Sequence, residues 1–223
     1  MGFLDDLKRQ ADALREQQTV DGAGLRQRVA LTEAACQAAL RYFSTLAEQL
    51  NVLQPPSPAH YQLDRRHGFQ GLPMSDFYAD ARRKILDRDE VYDHVVLHWQ
   101  LKTGKTLHLV KDFLPDIEQL EARIRQAAMP VKTEAVRNPD NGKLVEMRYA
   151  LQADLRAGIR IAPRHEDAML RVQAQNLERL ETLNFELPAQ ALDEALLDEL
   201  AKWITGRPHA FLAGAQGLRR SEG

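Results

Sequence analysis

Between Leu53 and Tyr61 the chain reads QPPSPAH, and the rhythm of its apolar residues differs on the two sides of this segment. Before it they recur at steps of three and four, the period of a helix; after it they recur at steps of two, the period of a strand. Proline removes a backbone donor and disfavours helical geometry in the residue before it, so Pro55, Pro56 and Pro58 end any helix that reaches them. The segment divides the chain into a helical part, 1–54, and a sheet-forming part that begins at 58. Strands and helices segregated in this way predict an α+β fold with a mainly antiparallel sheet.

Within the helical part, Leu4, Leu7, Ala11 and Leu14 line one side of a helix over 3–18, and DGAG at 21–24 is expected to break it. From Leu25 to Leu53 a heptad seam runs through Val29, Thr32, Cys36, Ala39, Phe43, Leu46, Leu50 and Leu53. The expectation is a helical hairpin, a coiled-coil-like arm. Its second helix spans about 43 Å against about 24 Å for the first, and it carries a second stripe of Leu31, Ala35, Ala38 and Tyr42. That surplus apolar surface calls for cover by the following domain or by another subunit, so Val29, Cys36, Ala39, Phe43, Leu46 and Leu50 are the candidate packing residues of an oligomer.

The sheet part extends over 58–187. Phe77, Ala79 and Ala81 alternate, as do Val95, Leu97, Trp99 and Leu101. A helix over about 114–128 starts with Pro115 and Asp116 and stacks Ile117, Leu120 and Ile124. NPDNGK at 138–143 reads as a hairpin turn, and further strands are expected near 155–162, 168–174 and 180–187. A C-terminal helix, 188–206, opens on Pro188, buries Leu196, Leu200 and Ile204, and stops at Gly206. The tail, 212–223, is small, polar and basic, which predicts disorder.

Gly104-Lys105-Thr106 matches the end of a phosphate-binding P-loop, but the first glycine of that motif would fall on Trp99, and the sequence after it alternates like a strand where the motif needs a helix. A turn with Gly104 in left-handed geometry fits better. Closed as a hairpin, that turn pairs Trp99 with Leu107 and sets His98 opposite His108, where opposed Cβ atoms lie about 4.5–5.5 Å apart, within reach of one metal ion. A further ligand would come from Asp112, His60 or His67. No cofactor is expected beyond a divalent metal at this pair.

Arg65, Arg66, Arg82, Arg83 and Lys84 cluster within twenty residues and suit a phosphate or carboxylate ligand. Phe69, Phe77 and Tyr78 lie among them, as single-stranded nucleic acid prefers, yet they serve a sheet core equally well. Glu178, Glu181, Glu186, Asp193, Glu194, Asp198 and Glu199 form an acidic stretch suited to a basic partner. With 30 basic and 32 acidic side chains the net charge is −2, so no global field draws the chain to nucleic acid or an anionic membrane. The lone Cys36 excludes an internal disulfide, and no apolar run suits a signal peptide or a membrane span. The expected protein is cytoplasmic and non-catalytic. It works through contacts with itself or a partner protein; anionic-ligand or nucleic-acid binding, and metal chemistry at the histidine pair, are the alternatives.

Overall fold

The computed structural model describes residues 3–222, with side chains for Lys8 and from Gly22 to Ser221. Helix α1 (Phe3–Leu53) is followed by β1 (His60–Gln62), β2 (Gly68–Gln70), β3 (Met74–Leu86), β4 (Asp89–Leu101) and β5 (Thr106–Lys111). Then come α2 (Leu114–Gln126), β6 (Val131–Arg137), β7 (Leu144–Gln152), β8 (Leu155–Arg164), β9 (Met169–Gln175), β10 (Glu181–Pro188), α3 (Glu194–Ile204) and β11 (Gln216–Glu222). The larger sheet has the order β11-β10-β9-β8-β4-β3, a smaller one the order β5-β7-β6, and β1 pairs with β2. Every pairing is antiparallel, in keeping with the α+β class.

Helix α1 lies across one face of the six-stranded sheet, over β3, β4 and β8. Cys36, Ala39 and Phe43 are fully buried there and Leu50 nearly so, while Val29 and Leu46 are half-buried. The small side chains in mid-seam let the helix approach the strands, and Phe43 alone contributes about 2–3 kcal/mol by leaving water. Cys36, Ala39, Phe43 and Leu50 join Val95, Leu97, Trp99, Ile159, Ile161, Val172 and Phe185 in one core, with Leu46 packed against it. Polar contacts set the helix in register with the sheet. Asn51 donates to the Phe77 carbonyl at 2.8 Å and accepts from its N–H at 2.7 Å, at the irregularity between Ser75 and Tyr78. Further along, Glu33 accepts from the Tyr92 N–H at 2.7 Å, and Thr32 meets the buried His165 Nδ1 at 2.6 Å.

Several expectations change. The helical hairpin is replaced by one helix: Gly22 and Gly24 lie inside α1. Each glycine costs about 1 kcal/mol against alanine in a helix, less than the packing and pinning of the following turns recover. The stripe of Leu4, Leu7, Ala11 and Leu14 lies outside the described side chains. Most of the segment expected to be a disordered tail is ordered: Gln216–Glu222 form β11, which takes the free edge of β10. There Arg220 pairs with the buried Glu181 at 2.9 Å, and Arg179 reaches the same carboxylate at 3.3 Å. Pro188 ends β10 and does not open the C-terminal helix, which starts at Glu194, with Asp193 before it accepting from the Leu196 N–H at 2.9 Å as a cap. Leu197, Leu200, Trp203 and Ile204 are its buried stripe, with Leu196 half-buried beside them.

The segment after β4 is a turn, with Gly104 at φ 62 and strand β5 following it. Asp154 accepts from the N–H groups of Thr103 at 3.0 Å and Gly104 at 3.4 Å. It does not close a β4–β5 hairpin. β4 already has β3 on one side and β8 on the other, so Trp99 pairs with Ala157, and β5 leaves to pair with β7. The β6–β7 hairpin forms over NPDNGK as expected, with Gly142 at φ 66.

Candidate functional site

The two histidines of the expected metal pair lie in different sheets: His98 stands between Tyr78 and Gly158, and His108 opposite Ala150. Their pairing fails because it depended on the β4–β5 hairpin. Among the described residues no group of three or more histidine, cysteine, aspartate or glutamate side chains could hold a metal ion.

The expected arginine cluster divides. Arg65 and Arg66 sit in the β1–β2 turn, lining a cleft of 440 Å³ with His67, His108 and Lys111. Arg82, Arg83 and Lys84 lie toward the far end of β3, and two of these are engaged within the fold. Arg83 meets Glu33 at 3.3 Å and Glu90 at 3.4 Å and lies 4.5 Å over the Tyr92 ring, and Lys84 meets Asp93 at 3.5 Å. Arg82 is exposed, opposite His94.

Sequence spacing missed a different set. Strand side chains alternate between faces, so the partners of the buried residues all point away from α1. Register then lines them up in rows across the sheet. One row is Tyr78, His98, Gly158, Gln175, Thr182 and Ser221; the next is Asp80, Val96, Arg160, Gln173, Asn184 and Arg219. A third includes Ala162, Arg171 and Glu186. Arg160, Arg171, Gln173, Asn184 and Arg219 are all exposed.

This face is indented. A depression of 470 Å³ is lined by Arg160, Arg171, Gln173, Asn184, Glu186 and Arg219 among others, and a second, of 200 Å³, by His98, Arg156, Gly158 and Gln175. Both include Arg160 and Gln173, so the two adjoin, and together they form a trough along the face from β4 to β11. Its floor is low where side chains are missing. A Cβ at Gly158 would stand 2.8 Å from the Leu97 carbonyl oxygen, so close β4–β8 contact demands glycine there. At one end the trough meets the C-terminus of α2, where Gln175 donates to the Gln126 carbonyl at 3.0 Å.

The charges on this face differ in how far they are committed. Arg164 is held by Asp167 and by Glu186 at 2.6 Å. Arg160 touches His94 Nδ1 at 3.1 Å and Asp93 at 3.8 Å, and Arg171 touches Glu186 at 3.5 Å. Arg156 and Arg219 form no ion pair among the described residues. Burial, and then the Arg156 charge, hold the His98 imidazole below its usual pKa, which keeps that ring neutral near pH 7. The trough therefore offers guanidinium donors to an anion and side-chain amides to neutral hydrogen-bonding groups. Comparison with protein-family models, curated proteins and solved structures finds no match.

Proposed function

We propose that the chain is a non-catalytic binding protein that holds an anionic ligand on the exposed face of its six-stranded sheet. The row Arg160, Gln173, Asn184, Arg219 carries this reading. Its two guanidinium groups stem from strands about 14 Å apart by strand spacing, with two amides between them over the 470 Å³ depression. Planar guanidinium donors match phosphate and carboxylate oxygens two at a time. The non-catalytic part of the proposal is motivated by the sequence, which carries no nucleophile elbow, P-loop or paired carboxylates. A cytoplasmic location belongs to the same proposal. The one cysteine, Cys36, is buried, and burial, with a smaller push from Glu33, raises its thiol pKa to about 12.

Thermal shifts at low salt test the binding. Inorganic pyrophosphate, a nucleoside triphosphate and a short oligonucleotide form the panel, and at least one is expected to raise the melting temperature. The rise should fade with salt and be lost in Arg160→Gln/Arg219→Gln. No shift with any of them ends this reading.

A second reading, self-association through α1, keeps one observation in its favour. A groove of 520 Å³ runs between α1 and α3, lined by Ala38, Tyr42, Thr45, Leu46 and Leu197, and leaves Leu46 half open. Of the rest of the apolar seam, Cys36, Ala39, Phe43 and Leu50 are spent on the chain's own core, while Leu53 is 71% exposed.

A further inference from the structure

Resting on the anion-binding reading above, we propose that the ligand of the trough is single-stranded nucleic acid, with phosphates at Arg160, Arg171 and Arg219 and a base stacked on Tyr78. The trough runs from β4 to β11, four strand spacings or about 19 Å, and Tyr78 flanks it on β3 beside His98, so that ring and trough together span about 24 Å, on the scale of the shorter single-strand sites of about four nucleotides. Beside the trough on β3, Tyr78 is 55% exposed and leans on His98 with ring centroids 5.4 Å apart. The neutral His98 imidazole supports that ring without adding charge. Base stacking on such a ring tolerates any base, because every base has a π-face.

The alternation of charge along the rows separates this ligand from other polyanions. Asp80 shares a row with Arg160 and Arg219, and Glu186 is opposite Arg171. A carboxylate-dense peptide would set its charges against these acids. A single strand carries one charge per nucleotide and can place phosphates at the arginines and neutral bases over Val96, Gln173 and Asn184. The amides then donate to and accept from base edges. A duplex, as a stiff cylinder, cannot reach a floor set by Gly158 and Ala162, whereas a flexible strand can.

Fluorescence anisotropy at low salt provides the test. The probes are labelled 12-residue oligo-dT and oligo-rU, a 12-base-pair duplex, a polyglutamate peptide and inorganic polyphosphate. The single strands are expected to bind best. Arg160→Gln/Arg219→Gln should weaken them at least tenfold and flatten the salt dependence. Tyr78→Ala should weaken the single strands about tenfold while leaving polyphosphate binding unchanged, and Tyr78→Phe should restore the single strands. These side chains are exposed, so unchanged melting temperatures are expected and separate lost binding from lost folding. If polyphosphate, polyglutamate or duplex binds as tightly as the single strands, or Tyr78→Ala changes nothing, the nucleic-acid assignment falls and the anion site stands. If no probe binds, both fall.

Discussion

Asp64 shows how one side chain organises a turn. It accepts from the N–H groups of Arg66 and His67, each at 2.8 Å, from His67 Nδ1 at 2.8 Å, and pairs with Lys111 at 2.8 Å. Burial is the largest single influence on its carboxyl and pushes the pKa up. The Lys111 contact and the hydrogen bonds of the turn outweigh it together and hold the group well below the usual carboxylate range. A carboxylate depressed in the folded state stabilises the fold above its unfolded pKa, about 3.9, and that contribution is lost as pH falls through the folded value. Asp64→Asn is therefore expected to lower the urea midpoint at pH 7, with the difference from the unchanged protein narrowing steadily below about pH 4. A penalty that stays constant down to pH 2 would show that the carboxylate charge is not what holds this turn.

At the scale of elements, the decisive junction is α1 against β3. The irregularity between Ser75 and Tyr78 takes Phe77 out of the ladder, and Asn51 supplies both hydrogen bonds its backbone has lost. Asn51→Ala leaves a part-buried donor and acceptor without partners, a cost of about 1–3 kcal/mol, or a melting-temperature drop of several degrees for a chain of this size. Asn51→Asp should recover only the bond from the Phe77 N–H, since a carboxylate cannot donate to the carbonyl. Calorimetry on the three proteins checks this, and equal melting temperatures would show that Asn51 does not bear on the junction. Because Tyr78 follows Phe77, the same asparagine sits next to the point where the exposed ring returns to the ladder opposite His98.

For the whole molecule, the open question is whether the α1–α3 groove is filled by a second copy. Phe43 and Cys36 cannot report on this, since they lie fully in the chain's own core and polar replacements there would destabilise the fold itself. Ala38 lines the groove from outside the core and is the informative position. If the groove is an interface, sedimentation of the unchanged protein shows a species larger than the 25.3 kDa chain. Ala38→Glu then returns it to monomer with little change in melting temperature. A monomer at every concentration ends the self-association reading and leaves the sheet-face reading untouched.

What the sequence determined by itself was whatever depends on neighbours along the chain. The 3.6-residue period of α1, the two-residue period of β4, Pro115 at the start of α2, the NPDNGK turn and the left-handed glycine at 104 are all local, and all were readable. What tertiary structure decided was pairing. Whether β5 returns to β4 or travels to β7 depends on which edges β3 and β8 have already taken, and those partners are far away in sequence. The histidine pair was lost with that one choice. A separate set of pairings brought Arg160 and Arg219 into one row: they stand 59 positions apart in the chain and are joined through the registers of β9 and β10. The sequence reading placed Arg219 in a disordered tail, and hydrogen-bond ladders between distant strands set which outward residues lie side by side.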